Sequence, residues 1–329
     1  MSAPLSRRAI LDAGARRREA GLGCADTTAY RLVHREHDAL AGRTADRIGE
    51  VVYLTYRARG AATPAALDLW ASALGEVLAL GALVVRWDAP ANQGEVEAVE
   101  REQVDAHVDA LGLAPTTARA EALESGLRYA FAFDRGRSHG LFFDMREPRR
   151  DLRARWSGGR VLNLFSYTCG FGVALGARCD VVNVDVSRAY LDWGAENYAL
   201  NGLDAPASAF VKKDAFDYLR VAAKVGNRFD AIVLDPPAFS RGKRGKARRF
   251  RLEKDLEQLL EPALAALTPE GELFVAANVD GWPRWAFDKR VARAAEAHGR
   301  RVVRGWDAAA DYPAPRDAYH LKTALISGR

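Results

Sequence analysis

The sequence predicts an α/β protein, with a Rossmann-like, doubly wound sheet in its C-terminal part and a small α+β domain before it. Two observations lead to this prediction. With 329 residues, the chain is longer than one hydrophobic core usually supports, which favours two domains. From residue 161 onward, short apolar segments alternate with segments of helical periodicity. This alternation is typical of a mostly parallel sheet that is covered by helices.

The N-terminal part is predicted to divide into a basic arm, residues 1–25, and a small α+β domain, residues 26–125, which is expected to bind RNA. The arm is rich in Arg and Ala and could be a short helix or a loose segment. In the small domain, strands are predicted at 51–56 and 82–87. A helix that begins at Pro64 lies between them, and a charged helical stretch follows at 95–113.

The C-terminal domain is predicted to span residues 126–329 and to open with a β-hairpin, whose strands at 127–133 and 139–144 flank a turn at Gly136. Further strands are predicted at 161–165, at 181–186, from 211, at 231–234 and at 272–276, and helices at 187–201 and 252–267. Ligands of such sheets bind at the carboxyl ends of the strands, so functional residues are expected there.

Composition and charge exclude membrane and secreted classes but leave the partner open. The net charge of +5 and the pI of about 9.1 are compatible with an anionic partner without requiring one. The longest apolar run, 77–85, is too short to span a bilayer, and no signal-peptide core follows the N-terminus. Cys24, Cys169 and Cys179 form no CxxC pair, which favours a reduced, cytoplasmic location.

A glycine-containing turn follows the strand at 161–165. Gly170 and Gly172 would let the backbone approach a ligand closely, with a helix N-terminus behind them. Asp185 ends the next strand, where a carboxylate can accept hydrogen bonds from both ribose hydroxyls of a nucleoside cofactor. The alternative is that Asp185 caps the following helix, although Ser187 is the better N-cap.

Two further acids follow predicted strands. Asp214 could reach an adenine amino group or could cap a helix. Asp235 precedes Pro236 and Pro237, which stiffen the loop and leave the carboxylate projecting towards the cleft. The sequence contains no GxGxxG fingerprint of nicotinamide-dependent enzymes. The order and spacing of these acids therefore favour S-adenosylmethionine over NAD as the cofactor.

Four segments together resemble the core motifs of the large-subunit ribosomal RNA methyltransferases of the class I Rossmann-like superfamily: NLFSYT at 163–168, VDVS at 184–187, NYALNGL at 197–203 and DPPAF at 235–239. Residues 30–47 are similar to the small N-terminal domain of the cytosine-C5 members. Residues 140–146 are similar to the hairpin that closes over the cofactor in those enzymes. The resemblance covers nearly the whole chain beyond residue 25, and no PUA domain is expected before Tyr30.

The resemblance implies a set of cofactor-binding residues. Phe165, Tyr167 and Gly170 would line the methionine end of S-adenosylmethionine. Asp185 would hold the ribose, Asp214 the adenine and Asp235 the methyl-transfer face. The remaining members of the implied set are Thr168, Ser187, Ala215 and Arg146. Cys169 departs from the family pattern, which usually has Gly there, and this puts the local backbone geometry in question.

The segment after the fifth strand departs from the cytosine-C5 pattern. Those members carry a Cys there that adds to C6 of the base, whereas residues 274–282 contain none. Asn278 is closer to the guanine-N7 methyltransferase half of the bifunctional 23S rRNA enzyme. We therefore predict methylation at a nitrogen such as guanine N7, without a catalytic cysteine. The predicted catalytic residues are Asp235, Pro236, Pro237 and Asn278.

A basic segment directly follows the DPPAF motif and has seven Arg or Lys residues and no acid between residues 241 and 251. Arg244, Lys246 and Arg248 are predicted to bind RNA phosphates. Phe239 and Phe250 are predicted to contact RNA as well, Phe250 by stacking on a base. The alternative is a solvated basic loop. The predicted partner is RNA, either 23S rRNA or a large-subunit precursor, and the predicted state is a monomer or a homodimer.

Three other functions stay open at this point. The chain could methylate a small molecule or a protein, because this fold accepts many substrates. It could be a cytosine-C5 rRNA methyltransferase, or a non-catalytic RNA-binding relative. His34 and His37 lie within the resembling N-terminal segment and have no partner ligands nearby in the sequence, so no metal site is predicted.

Overall fold

The computed structural model describes residues 5–57, 61–88, 94–135, 138–240, 250–314 and 320–328. The chain forms two compact units. The first comprises Met1–Asp144 and Ala309–Pro313, and the second comprises Met145–Ala308 and Ala314–Arg329. The boundary predicted at residue 126 therefore falls inside the first unit.

The first unit is built on a four-stranded sheet. Its strands are β1 (Ala29–His34), β2 (Arg43–Ile48), β3 (Val51–Tyr56) and β4 (Ala82–Trp87), in that order across the sheet. The first three are antiparallel, whereas β4 is parallel to β3 because helix α2 (Pro64–Val77) crosses between them. Helix α3 (Gly94–Ala110) follows β4. The predicted strands at 51–56 and 82–87 and the helix start at Pro64 are confirmed, while β1 and β2 had not been predicted.

The predicted basic arm is a helix that belongs to the core of the first unit. Helix α1 (Arg7–Glu19) begins after Ser6, whose hydroxyl accepts a hydrogen bond from the backbone of Ala9. Ile10 is fully buried. Gly14 packs against α2, where an added Cβ would lie only 2.5 Å from the side chain of Val77. The helical alternative for the arm is therefore confirmed. Its few apolar residues look sparse in the sequence, but the helix places them on one face.

The hairpin of the first unit lies one strand earlier than predicted. Strands β5 (Arg119–Glu124) and β6 (Leu127–Ala132) are antiparallel. They meet at Ser125 and Gly126, whose φ angles are 51° and 77°, as in the tight turns that match strand twist. The predicted partner segment at 139–144 is not a strand. The true partner, β5, is fixed by contacts far along the chain, since the backbone of Thr28 donates to the carbonyl of Leu123 over 2.8 Å.

The second unit contains the predicted doubly wound sheet. Its elements, in chain order, are α4 (Arg146–Arg155), β7 (Arg160–Leu164), α5 (Gly170–Leu175), β8 (Asp180–Asp185), α6 (Arg188–Leu200), β9 (Phe210–Lys212), α7 (Ala215–Lys224), β10 (Phe229–Leu234), β11 (Phe239–Ser240), β12 (Phe250–Arg251), α8 (Leu252–Asp255), α9 (Glu257–Ala265), β13 (Leu267–Asn278), α10 (Arg284–Ala297), β14 (Arg301–Arg304) and β15 (Leu321–Ser327). The sheet order is β14-β15-β13-β10-β7-β8-β9.

Five neighbouring strands of this sheet, β13, β10, β7, β8 and β9, are parallel, and β15 is antiparallel to both of its neighbours. The central strands are apolar along their length, with residues such as Leu162, Ile232 and Leu273 fully buried. This is expected of a parallel sheet that helices cover on both faces. None of the described helices is both long enough and apolar enough to cross a membrane.

Candidate active site at the carboxyl ends of the strands

The parallel register aligns the ends of five strands. Leu164 of β7 lies opposite both Val184 of β8 and Leu234 of β10. Leu234 in turn lies opposite Val275 of β13. Consequently Phe165, Asp185 and Asp235, each of which directly follows one of these aligned residues, come together at one edge of the sheet. Asp214 and Asn278 follow or end the adjoining strands at the same edge. The structure thus assembles most of the predicted site from segments that are spread over about 110 residues of the sequence.

The loop after β7 is strained at three positions. Phe165, Tyr167 and Cys169 have φ angles of 56°, 49° and 60°. This left-handed region costs a residue with a side chain roughly 1 kcal/mol or more. The prevalence of Gly in the resembling family at the position of Cys169 therefore has a physical reason, since Gly adopts this conformation freely. No comparable signal for the conformations of Phe165 and Tyr167 is present in the sequence.

Hydrogen bonds from neighbouring elements hold this strained loop in place. The backbone of Ser166 donates to the carbonyl of Val184 over 3.1 Å. The amide of Asn197, which is fully buried on α6, donates to the carbonyl of Thr168 over 2.9 Å. The sequence analysis gave Asn197 no role. Its signal is a polar residue on the buried face of an amphipathic helix, which requires a partner in the interior.

Asp185 connects two loops of the site. Its Oδ2 accepts from the backbone of Tyr167 over 3.0 Å, and its Oδ1 accepts from the backbone of Ser187 over 2.8 Å. Burial raises the pKa of this carboxyl, and the backbone donors oppose that shift. The helix α6 is capped by Ser187 instead, whose hydroxyl accepts from Tyr190. The carboxylate of Asp185 is partly exposed at the strand end, where it can accept further hydrogen bonds from ligand hydroxyls.

Gly172 packs against the protein interior, and the approach of its backbone to a ligand stays a prediction. A Cβ at this position would collide with Asn183 and lie 2.7 Å from the hydroxyl of Tyr198. These residues belong to a buried network. Asn163 donates to Asn183 over 2.9 Å, and Asn183 donates to the hydroxyl of Tyr198 over 3.0 Å. Gly172 is therefore required so that α5 can pack against this network behind the site.

Replacing Asn183 with Ala is expected to lower the free energy of unfolding by about 2–3 kcal/mol, because it leaves Asn163 and Tyr198 with unsatisfied buried groups. Denaturant titration of the purified variant measures this loss. The matched control is Asp180→Asn, at the exposed start of the same strand, which should stay within about 0.5 kcal/mol of the parent protein. Equal stability of the two variants would contradict the structural importance of the network.

Asp214 is the N-cap of helix α7. Its Oδ1 accepts from the backbones of both Phe216, over 2.9 Å, and Asp217, over 3.4 Å. The capping role is thus confirmed, and its contact with adenine stays a prediction. Ala215, the first residue of the helix, is 3% exposed, so any contribution to a ligand site would come mainly from its backbone.

Three predicted contacts are not available in this conformation, because their side chains are buried. Thr168 has no exposed surface, so it cannot contact a ligand unless the loop moves. Arg146, at the start of α4, is 3% exposed and lies 3.5 Å from Glu147. Phe250 is 3% exposed and packs edge-on against Phe216, so it cannot stack on a base. Phe239, in contrast, is 61% exposed.

Asp235 and Asn278 lie at the ends of the neighbouring strands β10 and β13. Asp235 is partly exposed, with Pro236 buried and Pro237 exposed after it, and Asn278 is exposed. At the same edge, the described residues include one cysteine, Cys169. It is fully buried, and burial raises the pKa of its thiol well above the ordinary value.

The predicted phosphate contacts Arg244, Lys246 and Arg248 lie outside the described residues. The segments that flank them are described. Strands β11 and β12 pair antiparallel, with Phe239 opposite Arg251. The residues that flank the basic segment at 241–249 are therefore neighbours in the structure, directly after the DPPAF motif.

Comparison with known proteins gives consistent results. The profile of a family described as S-adenosylmethionine-dependent methyltransferase matches residues 40–327. Ribosomal RNA large subunit methyltransferase I of Aeromonas hydrophila is 33% identical over 309 residues, which cover 92% of this chain and 75% of that protein. Ribosomal RNA large subunit methyltransferase K of Neisseria meningitidis is 37% identical over 158 residues, 47% of this chain, and the match covers only 44% of that relative.

A solved structure shares the fold. SMU.776, a protein assigned as a methyltransferase and crystallised with SAH, superimposes with a TM-score of 0.81 at 23% identity. The match covers 99% of this chain and 83% of that one.

Proposed function

The chain belongs to the S-adenosylmethionine-dependent methyltransferase family, and from this premise we propose that it methylates a base of large-subunit ribosomal RNA in the cytoplasm. The enzyme class and its cofactor follow from family membership. The observation that carries the proposed substrate is the 33% identity, over 92% of the chain, to a ribosomal RNA large subunit methyltransferase.

The residues at the strand ends suit this cofactor. When bound, S-adenosylmethionine supplies an electrophilic methyl group on a sulfonium sulfur. Asp185 is held by two backbone donors and would accept hydrogen bonds from the ribose hydroxyls. Asp214 would accept from the adenine amino group. The strained loop at 165–169 would line the methionine end, where its fixed conformation limits the loss of entropy on binding.

We propose that the methyl acceptor is a nitrogen, with guanine N7 the first choice. The lone pair of N7 needs no activation, so alignment with the methyl group is sufficient. Asp235 and Asn278 would hydrogen-bond the edge of the extruded base and orient it, and Pro236 and Pro237 would keep Asp235 in place. Asn278 at the end of β13, together with the burial of Cys169, supports a mechanism without a covalent protein–base intermediate.

The proposal is tested by mapping methylated nucleosides in ribosomal RNA from cells with and without the gene. A single methylated guanine that disappears with the gene, and returns when the purified protein is added with S-adenosylmethionine, is the expected result. An unchanged modification pattern, together with methylation of a small molecule or a protein by the purified chain, would assign the enzyme a different acceptor. This outcome would leave the family membership intact.

We also propose that the basic segment at 241–249 binds RNA phosphates. Changing Arg244, Lys246 and Arg248 together to Gln should reduce the slope of log affinity against log salt by about 2, because fewer counterions are released. Fluorescence anisotropy with a labelled fragment of 23S rRNA measures this slope. The matched control changes three exposed arginines elsewhere, Arg8, Arg128 and Arg220, to Gln. Equal slopes for the two triple variants would identify the segment as a solvated loop.

A further inference from the structure

The first unit contains a cavity of about 410 Å³. A volume of this size is within the range of small-molecule binding sites. Its lining combines three arginines with several aromatic side chains. The residues used below are Arg31, Arg35, Asp46, Tyr53, Arg86, Trp87, His139, Phe142 and Tyr312.

The base of the cavity is a rigid ionic cluster. Asp46, buried on β2, forms an ion pair with Arg31 and accepts a hydrogen bond from His139 over 3.1 Å. Burial by itself would raise the pKa of Asp46, but the charge of Arg31 and the contact with His139 lower it to about 2. The guanidinium of Arg31 also lies 4.8 Å from the centre of the Tyr312 ring. Arg31 and Asp46 therefore neutralise each other and fix the shape of the site.

The remaining charges of the lining favour an anion. Apart from the ion pair of Arg31 and Asp46, the lining contains two cationic side chains, Arg35 and Arg86, and one exposed carboxylate, Asp88. Arg86 is hydrogen-bonded to the hydroxyl of Tyr53, which keeps it on the wall. Arg35 has a φ of 51°, a conformation that is uncommon for a bulky residue and is often retained at binding sites.

The aromatic residues supply flat surfaces beside these cations. Phe142 is 48% exposed, and Trp87 is partly exposed. Two buried nitrogens of the lining, Nε1 of Trp87 and Nδ1 of His139, have no hydrogen-bond partner among the described residues. Buried polar atoms without partners are rare, so they point to a ligand or water that completes the site.

We infer that this cavity binds one nucleotide of the RNA substrate, with its base against Phe142 and Trp87 and its phosphate at Arg35 and Arg86. The chemistry of the lining selects a ligand that is both planar and anionic. The identification of that ligand as part of an RNA rests on the proposed function. The lining residues belong to the first unit, whereas the residues assigned to methyl transfer belong to the second.

The inference is tested on the full chain with guanosine and uridine 5′-monophosphates as probes, and with a labelled single-stranded RNA hexamer. Two cavity variants are compared. One carries both Arg35→Gln and Arg86→Gln, and the other carries Phe142→Ala. Each is expected to weaken binding of both probe types about tenfold or more, since a charge contact or a stacking surface is lost. The control Arg128→Gln, 62% exposed on β6 of the same unit, should change affinity less than twofold.

Thermal melting and calorimetry with S-adenosylmethionine accompany these measurements. Unchanged melting and cofactor affinity in the Arg35→Gln, Arg86→Gln variant, together with loss of nucleotide binding, would support the cavity as a nucleotide site. Wild-type affinity for nucleotides and RNA in the folded Phe142→Ala and arginine variants would overturn it. Nucleotide binding requires no methyl transfer, so absence of rRNA methylation by the parent protein would contradict the proposed function and would leave this test valid.

Discussion

Replacing Asp235 with Ala is expected to lower the rate of methyl transfer by about 10²–10³-fold, the typical cost of losing one preorganised hydrogen-bonding group at a reacting centre. Affinity for S-adenosylmethionine should fall by no more than a few-fold. The physical reason is that Asp235 follows β10 at the edge shared with Asp185, and its carboxylate would orient the base. Single-turnover kinetics with labelled cofactor and 23S rRNA separate the loss of rate from the loss of binding.

The same assay decides between the nitrogen and cytosine-C5 mechanisms. A protein in which Cys24, Cys169 and Cys179 are all changed to Ser should keep its activity within a few-fold. Cys24 is exposed in the first unit, Cys179 precedes β8 at the opposite edge of the sheet, and Cys169 is buried. Inactivation by a Cys→Ser change in a folded protein, a trapped complex with 5-fluorocytidine RNA, or 5-methylcytidine as product would show that the proposed acceptor is wrong.

Replacing Asp185 with Ala is expected to weaken binding of S-adenosylmethionine on the order of 10²-fold. A charge-assisted hydrogen bond contributes about 1.5–3 kcal/mol. The substitution also removes the acceptor of the Tyr167 backbone, which helps to hold the strained loop. Binding should weaken on acidification too. Because burial raises the pKa of this carboxyl, the protonation that removes the acceptor begins at a higher pH than for an exposed Asp.

Isothermal titration calorimetry with the cofactor measures both effects. The control Asp180→Asn is on the same strand but at its opposite end, where the side chain is 73% exposed, and it should bind the cofactor like the parent protein. Unchanged affinity in a folded Asp185→Ala variant would remove Asp185 from the cofactor site. An affinity that is independent of pH between about 4 and 7 in the parent protein would contradict a raised pKa for Asp185.

The sequence was sufficient to predict the five parallel strands of the second unit, whereas the antiparallel strands β14 and β15 had not been predicted. Fully buried parallel strands are continuous apolar runs, and the helices between them have their own periodicity, so both signals are local. The acids at the ends of these runs could be located for the same reason. Once the sheet is parallel, all strands end at one edge, and Asp185 and Asp235 must lie near each other.

Other features depend on contacts between residues that are distant in the sequence, and only the tertiary structure decided them. Hydrogen bonds from distant residues hold the left-handed conformations of Phe165 and Tyr167. Asp185 accepts from the backbone of Tyr167, 18 residues away. Asn197 donates to the carbonyl of Thr168, 29 residues away. The aromatic ring of Phe250 could stack on a base, but Phe250 is buried because Phe216 packs against it.

The first unit shows the same division. The strands β3 and β4 and the helix between them follow from local patterns. The hairpin partner of β6 and the packing of α1 do not follow from local patterns. Strand β5 is hydrogen-bonded to Thr28, and α1 packs against Val77, and both contacts join residues that are distant in the sequence. Local propensity therefore determined which segments are regular and where the acids lie. Long-range packing determined which loops are strained and which side chains are exposed, because burial depends on neighbours that a local sequence pattern does not contain.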